Sequence, residues 1–290
     1  MNQKRNIIIT GASSGIGAAI AKTLTDDGDH VYACARRQDR LEDLKDYGVK
    51  FVHPCDVCDE ESVKSFFAEV SKLSNNIDGL IHCAGSFGSI GPMVNSQSEE
   101  WWGSLKTNIF GTYLFVKNVV PLMRAERHPV IITFAGGGAF NAFENYSAYA
   151  VSKSGIVRLT ETLAEELSGQ GICINAVAPG FVATEIHNET LEKGINYSGE
   201  SHYSETLKKL KEGSVPISVP VDLVKFLLSS KALGLTGKTI SASFDPWNNE
   251  NFMDNINELN ASDLYTMRRM NLINLTEEDE MLKKTLSTEM

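Results

Sequence analysis

The feature that most constrains the fold is the glycine-rich stretch at residues 10–17, which reads TGASSGIG and follows the β-branched run at residues 7–9. A strand, a glycine turn and a helical apolar pattern in this order begin a βαβ nucleotide-binding unit. Gly11 permits a tight exit from the strand, Gly15 lets the backbone approach a pyrophosphate, and Gly17 lets helix and strand pack closely. Amides at the helix start would hold the phosphate, aided by the residues between the glycines, Ser13, Ser14 and Ile16. A glycine turn that serves only sheet packing is the alternative.

Length and composition bound the architecture and the partners. The chain has 290 residues, 42% of them hydrophobic, and no linker-like stretch before residue 245, which predicts one large domain over residues 1–245. The net charge of −10 argues against nucleic acid as a partner, because contacts to phosphates require a basic surface. The first apolar run is too short for a signal peptide or a membrane span, and the five cysteines indicate reduced thiols, so we expect a cytoplasmic protein. Cys55 and Cys58 have no second pair, so we expect no metal site.

Short apolar runs alternate with amphipathic segments along the first 245 residues. Seven runs are predicted to be strands, at residues 7–9, 30–35, 51–54, 80–82, 130–134, 173–178 and 238–244. The clearest helices are predicted at residues 18–24, 60–73, 99–123, 147–167 and 221–229. This alternation predicts an α/β fold, a Rossmann-type doubly wound parallel sheet with helices on both faces.

A tyrosine and a lysine stand one helical turn apart in the segment Tyr149-Ala-Val-Ser-Lys153. At positions i and i+4 their side chains share one helix face. The lysine ammonium, together with a positively charged nicotinamide, would lower the pKa of the tyrosine from about 10 toward neutrality. Tyr149 would then donate a proton to a carbonyl oxygen as hydride arrives, or remove that proton in the reverse reaction.

The spacing G-x-x-x-G-x-G, combined with Y-x-x-x-K, resembles the short-chain dehydrogenase/reductase family over about residues 5–245. The resemblance implies an oxidoreductase that transfers a hydride between a nicotinamide cofactor and a carbonyl or secondary alcohol. It implies that Lys153 contacts the nicotinamide ribose. It also implies that Asn108, in mid-helix, bulges its helix and holds a water that relays protons to Lys153. A satisfied polar kink is the alternative reading of that asparagine.

The resemblance implies further cofactor contacts at the ends of strands. Arg36, with Arg37 as second choice, follows the second strand where NAD users carry an acidic residue, so NADP is favoured over NAD. Two solvated arginines that open a helix are the alternative. The remaining residues implied to contact the cofactor are Asp56, Val57, Ala84, Gly85, Pro179, Gly180, Val182 and Thr184. Cys83 stands where the family has an asparagine, so the local backbone hydrogen bonding should differ.

One residue implied by the resemblance is missing. The family places a serine about thirteen residues before the tyrosine, and this chain has Gly136 there, preceded by Ala135. Loss of one such donor to the substrate oxygen commonly costs about 10² to 10³ in rate. Two functions are therefore open: an NADP-dependent oxidoreductase, or a nucleotide-binding protein with weak or no turnover that acts as a sensor or partner subunit.

Two segments lie outside this framework. Residues 185–214 are polar and contain several glycines, which predicts a mobile lid. Its polar side chains favour a sugar or another hydroxylated substrate (His187, Asn188, Tyr197, His202 and Tyr203). Residues 246–290 form an extension with helical spacing at residues 264–272, and packing over the mouth of the site is favoured over a partner's clasp or a frayed tail. The resemblance also implies a homodimer or homotetramer, paired through the two long helices.

Overall fold

The computed structural model describes residues 4–269 and confirms the predicted α/β fold. The strands are β1 (Asn6–Thr10), β2 (His30–Ala35), β3 (Phe51–Pro54), β4 (Gly79–His82), β5 (Val130–Phe134), β6 (Cys173–Ala178) and β7 (Thr239–Ser241). They form a seven-stranded parallel sheet in the order β3-β2-β1-β4-β5-β6-β7. β7 is shorter than predicted because the Ser241 amide donates to the Asp245 carboxylate (2.6 Å), which turns the chain away from the sheet.

Helices connect the strands and cover both faces of the sheet. Their bounds are α1 (Gly15–Asp26), α2 (Gln38–Tyr47), α3 (Glu60–Leu73), α4 (Ser98–Leu105), α5 (Gly111–Val119), α6 (Ser147–Leu167), α7 (Ile186–Lys193), α8 (Ile195–Ser198), α9 (Glu200–Glu212), α10 (Ser218–Leu227), α11 (Glu250–Asp254) and α12 (Ile256–Ala261). The predicted lid is thus folded into α7, α8 and α9. Within residues 4–269, no helix has both the length and the apolar character needed to cross a bilayer.

The core lies on both faces of the sheet, because neighbouring residues of a strand point to opposite sides. Ile7 and Ile9 of β1 belong to the cluster formed with α1, α2 and α10, whereas Ile8 belongs to the cluster formed with α3, α5 and α6. The direction of strand order reverses between β1 and β4. In open sheets of this kind, ligands bind at such a reversal, beyond the carboxyl ends of the strands.

The long helix predicted at residues 99–123 changes its winding in the middle. α4 continues into a π-helical turn, Lys106–Phe110, then into α5 and a 3₁₀ turn, Val120–Leu122. Asn108 lies at the centre of the π-helical turn. The bulge implied by the family resemblance is therefore present, and π-helical turns of this kind occur often at functional sites.

After β7 the chain packs against the outer edge of the sheet. Trp247 lies 5.7 Å from Phe226 between ring centroids, and its indole nitrogen donates to the Ala242 carbonyl (3.0 Å). Phe252 and Ile256 join the same hydrophobic cluster as β1. The hydrophobic core is therefore continuous across residue 245.

The predicted packing of the extension over the mouth of the site is wrong for residues 246–269, none of which lines the cleft. They pack against α10, β7 and α6 instead. The Thr239 amide of β7 donates to the Tyr265 carbonyl (2.8 Å), which covers a free strand edge. The predicted helix is also wrong for residues 264–269. Here the Ser262 and Leu264 carbonyls accept from the Lys238 ammonium (2.8 and 3.2 Å) rather than from helix amides. Residues 270–272 lie outside the described residues.

Candidate active site

A cleft of about 1220 Å³ opens at the carboxyl ends of the strands. Its lining includes all the residues predicted to contact cofactor: Gly11, Ser13, Ser14, Gly15, Ile16, Gly17, Arg36, Arg37, Asp56, Val57, Ala84, Gly85, Tyr149, Lys153, Pro179, Gly180, Val182 and Thr184. Asn108 does not line the cleft but is buried behind its wall, with 1% of its surface exposed. Residues far apart in sequence therefore converge on one groove.

The glycine turn is packed so closely against the protein backbone that it has no space for a side chain at Gly11 or Gly17. Gly11 and Gly15 have φ angles of 64° and 54°, in the left-handed region that favours glycine. A Cβ at Gly11 would lie 2.7 Å from the Ala84 nitrogen, and one at Gly17 would lie 2.5 Å from the Gly11 oxygen. α1 begins after Ser14, whose side chain makes no capping hydrogen bond. The turn therefore fits the diphosphate of a dinucleotide, held by helix-start amides.

Two arginines follow β2 at one end of the cleft. Arg36 is exposed and lines the cleft. The guanidinium of Arg37 donates to the hydroxyls of Ser13 (3.0 Å) and Ser14 (2.7 Å) in the glycine turn. It also donates to the carboxylate of Glu185 (2.8 Å). The arginines thus stand beside the glycine turn, where the adenosine half of a dinucleotide would lie.

Tyr149 and Lys153 lie in the first turns of α6 and face the cleft. The Lys153 Nζ lies 5.5 Å from the centre of the Tyr149 ring and donates to the Phe134 carbonyl at the end of β5 (2.8 Å). The ring of Phe87 packs edge-on against Tyr149, with centroids 4.7 Å apart. The strand end and the aromatic contact together hold this pair in position.

Burial shifts the pKa of both groups, since charge is unfavourable away from water. It raises the pKa of Tyr149, and the Glu189 carboxylate raises it further. It lowers the pKa of Lys153 to about 8. The predicted lowering of the Tyr149 pKa is therefore not a property of the chain by itself, and it depends on the positive charge that an oxidised nicotinamide brings when bound.

Asn108 joins the π-helical turn to the loop after β4 and to α6. Its amide nitrogen donates to the Ser86 carbonyl (3.0 Å) and to the hydroxyls of Ser104 (3.3 Å) and Ser152 (2.7 Å). Its carbonyl oxygen accepts from the Ser86 amide (3.0 Å). The satisfied polar kink is thus present, and it places the side chain directly behind Gly85, where an added Cβ would lie 3.3 Å from the Asn108 oxygen and 3.7 Å from the Lys153 Nζ.

Comparison with known proteins identifies the family. The family model described as short chain dehydrogenase matches residues 5–194. The chain belongs to the short-chain dehydrogenase family. A 3-oxoacyl-[acyl-carrier-protein] reductase of Buchnera aphidicola is 30% identical over 239 residues, which cover 82% of this chain and 95% of that protein.

Solved structures of other short-chain dehydrogenases share the fold. An actinorhodin polyketide ketoreductase crystallised with NADPH is 27% identical, with a TM-score of 0.74, over 82% of this chain and 95% of that one. The ligand-free aldohexose dehydrogenase of Thermoplasma acidophilum is 26% identical, with a TM-score of 0.70, over 82% and 92% of the two chains. The names of these oxidoreductases point to different substrates, so membership of the family does not by itself define a substrate.

The turn that follows β4 in this short-chain dehydrogenase is hydrogen-bonded to the neighbouring strand β1 through the hydroxyl of Thr10. The Thr10 hydroxyl of β1 accepts from the Ala84 amide (3.1 Å) and lies 3.2 Å from the His82 ring. Burial lowers the pKa of His82 to about 3. Cys83 is a free, half-buried thiol that packs against α1. The turn is therefore tied across β1 and β4 by Thr10, a connection that sequence reasoning did not find.

Aromatic side chains form the wall of the cleft around Tyr149. His187 stacks on Phe181 with centroids 3.9 Å apart, and His202 meets the edge of Phe143 at 4.7 Å. The two lid histidines that favoured a polar substrate are thus packed on rings. Asn188 still lines the cleft with an exposed side chain.

Sequence reasoning missed charged residues that line this short-chain dehydrogenase cleft, among them Glu185 and Glu189, and it missed Arg40, which pairs with Glu185 just outside the lining. Arg40 forms an ion pair with Glu185, on the same side of α2 as Arg37, and its spacing of three residues was a readable signal. Glu185 and Glu189 belong to the lid, which the sequence described only as polar. Burial raises the pKa of Glu189. No local pattern revealed that these carboxylates face the cleft.

Proposed function

We propose that this short-chain dehydrogenase is an NADP-dependent enzyme that interconverts a ketone and a secondary alcohol. The observation that carries the proposal is the placement of Tyr149 and Lys153 on one helix face, in the same cleft as the glycine turn. A general acid, a charged partner and a dinucleotide groove are the parts that such a reaction needs.

Arg36 and Arg37 support the choice of NADP. Guanidinium groups bind phosphate in a forked geometry. Arg37 stands beside Ser13 and Ser14, where we propose the 2′-phosphate to lie, and Arg36 lines the same cleft. The related polyketide ketoreductase was crystallised with NADPH. We propose that Asp56 and Val57 border the adenine, and that Ala84, Gly85, Pro179, Gly180, Val182 and Thr184 border the ribose and nicotinamide.

The chain's own groups would handle the proton. When bound, the reduced cofactor supplies the hydride to the carbonyl carbon. The Tyr149 hydroxyl donates its proton to the carbonyl oxygen as negative charge develops there. Lys153 would hold the nicotinamide ribose, and its charge would act together with that of a bound oxidised nicotinamide to lower the pKa of Tyr149 from the raised value that burial gives it. The π-helical turn at Asn108 would hold a water that returns a proton to Lys153, while the Asn108 amide itself fixes the turn through Ser86, Ser104 and Ser152.

Backbone amides are proposed to replace the missing serine as donors to the substrate oxygen. Gly136 and Gly137 line the cleft beside Tyr149. Among residues 4–269, no hydrogen-bond acceptor lies in reach of their amides. Free amides aimed at a developing oxyanion act as such donors in other enzymes.

The substrate is proposed to be a hydroxylated ring compound, such as a sugar. Aromatic walls offer flat apolar surfaces for a ring, and Asn141 and Asn188 offer hydrogen bonds at the cleft. A panel of keto-sugars and hydroxylated cyclic ketones, assayed beside linear acyl and steroid ketones, tests this. Activity confined to the linear and steroid compounds would contradict it.

Homo-oligomer formation is proposed through α4, α5 and α6. Four large apolar side chains on these helices and the π-helical turn are 40% to 53% exposed: Trp102, Phe110, Tyr113 and Val151. An apolar surface of this kind commonly marks an interface. The five free cysteines support the cytoplasm as the compartment.

The alternative function, nucleotide binding with weak or no turnover, draws its support from Gly136, which offers no hydroxyl to substrate. Titration of the purified protein with NADPH and NADH, followed by fluorescence, is the first test. Tight NADPH binding with turnover on the panel supports the enzyme. Tight binding without turnover supports the alternative, and binding of neither nucleotide contradicts both.

A further inference from the structure

Glu185 lies at the point where the lid meets the arginines at the end of β2. Its two carboxylate oxygens accept separately, one from Arg37 (2.8 Å) and the other from Arg40. The two guanidinium groups hold the pKa of Glu185 below its usual range. All three side chains are 37% to 46% exposed, so the arginines remain open to a ligand from solvent.

The path of the chain brings Glu185 to this position. Glu185 follows the segment 179–184 after β6 and directly precedes α7. Thr184 packs against the glycine turn: a Cβ at Gly15 would lie only 3.1 Å from the Thr184 methyl carbon. The start of the lid therefore spans the groove, from the end of β6 to the beginning of α2.

We propose that Glu185 competes with the 2′-phosphate of the cofactor for Arg37 and Arg40, and thereby limits the preference for NADPH over NADH. The inference rests on the proposed use of Arg37 for the 2′-phosphate. A phosphate that approaches Arg37 must share it with a carboxylate of the same charge sign, which weakens binding. The 2′-hydroxyl of NADH is neutral and can donate to a carboxylate, so Glu185 does not oppose it.

In this proposal Glu185 of the lid is the acidic residue near the adenosine ribose, although the end of β2 carries arginines and no acidic residue. Arg36 lies next to Arg37 and makes no ion pair with Glu185. It therefore stays available to phosphate while Arg37 and Arg40 are shared. Substitution of Glu185 should strengthen phosphate recognition specifically and should not strengthen nucleotide binding in general.

Adenosine 2′,5′-bisphosphate and 5′-AMP are suitable probes, because they differ only in the 2′-phosphate. Calorimetric titration of the full chain with both probes should show that Glu185→Gln binds the bisphosphate about threefold to fivefold more tightly, with 5′-AMP unchanged. Glu212→Gln is the matched control, since Glu212 lies on the lid helix α9, pairs with Lys208 and does not line the cleft. It should change neither affinity.

The outcomes separate this inference from the proposed function. If the unsubstituted chain binds the bisphosphate no more tightly than 5′-AMP, the proposed use of NADP fails. If it prefers the bisphosphate, the proposed function stands, and the variant decides the inference. Equal changes for both probes, no change for the bisphosphate, or weaker bisphosphate binding in Glu185→Gln would each overturn it.

Discussion

The hydroxyl of Tyr149 occupies the space that a side chain at residue 136 would need. A Cβ built on Gly136 would lie 2.4 Å from the Tyr149 hydroxyl oxygen and 3.2 Å from the ring carbon that bears it. Phe87 and Phe143 flank the tyrosine ring, with centroids at 4.7 and 6.4 Å, and restrict its movement. Gly136, which stands where the family resemblance implies a serine, is therefore matched to the position of the tyrosine.

Restoring the serine should harm this chain. Gly136→Ser forces the Tyr149 hydroxyl to move, and a displacement of about 1 Å in a reacting group can cost about 10² in rate. We expect kcat to fall by about that factor in steady-state assays with NADPH and the best ketone of the panel. Gly137→Ala is the control, because its Cβ would meet Phe143 at 3.2 Å and not Tyr149. A rise in kcat in Gly136→Ser would instead favour the weak-turnover hypothesis.

Removal of the Tyr149 hydroxyl should abolish turnover without preventing cofactor binding. General acid catalysis contributes about 10² to 10⁴ in rate, so Tyr149→Phe should lower kcat/KM by that range. Titration with NADPH should give an unchanged dissociation constant, because the ring and its contact with Phe87 remain. Tyr146→Phe is the matched control, since the Tyr146 hydroxyl bonds to Thr190 (2.8 Å) and lies outside the cleft lining. Full activity in Tyr149→Phe would contradict the assignment.

Lys153 should make stability rise at alkaline pH in the absence of cofactor. Burial lowers its pKa from 10.5 to about 8 in the folded chain. Between these values the unfolded chain binds a proton that the folded chain lacks, so the free energy of unfolding increases with pH. Relative to Lys153→Met, we expect wild type to gain about 3 kcal/mol over this window, measured by urea unfolding. A difference that stays constant with pH would show that Lys153 keeps its ordinary pKa.

Asn108 should contribute to stability, because its substitution removes the hydrogen bonds that join the π-helical turn to the loop after β4. Asn108→Ala removes the hydrogen bonds to both backbone groups of Ser86. The Ser86 amide loses its acceptor, whereas the Ser86 carbonyl still accepts from the Ser104 hydroxyl (3.2 Å). One unpaired group costs about 1–3 kcal/mol, so we expect a loss of that size in chemical denaturation. Asn118→Ala on α5 is the control, since that amide donates only to the Leu114 carbonyl of its own helix (2.8 Å). Equal losses in the two variants would count against a special role for the π-helical turn.

The exposed apolar surface of the π-helical turn and α5 should hold protomers together. Phe110 and Tyr113 stack at 5.8 Å and are 40% and 46% exposed. Phe110→Glu places a charge in this surface and should shift the sedimentation coefficient toward that of the monomer. Leu73→Glu, at an equally exposed apolar site on α3 (50%), should leave the assembly unchanged. A monomeric wild-type chain would contradict the proposed interface.

Local sequence patterns determined the framework of this protein. β2, β3, β5 and β6 have the bounds predicted from short apolar runs. In β2, β5 and β6 this follows because strands covered on both faces must be largely apolar. The glycine turn and the Tyr149–Lys153 spacing placed the cleft, since the carboxyl ends of parallel strands meet at one edge. The bulge at Asn108 came from the family resemblance, as no local propensity predicts a π-helical turn.

Tertiary structure alone decided several relationships within this chain. Glu185 meets Arg37 across 148 residues of sequence. Residues 246–269 pack against α10, β7 and α6 rather than over the cleft, and Lys238 and Thr239 hold the carbonyls of residues 262–265 beside β7. Gly136 is matched to the Tyr149 hydroxyl only through the fold. Such contacts depend on the paths of loops between strands, and these paths are set by long-range packing that apolar periodicity does not encode.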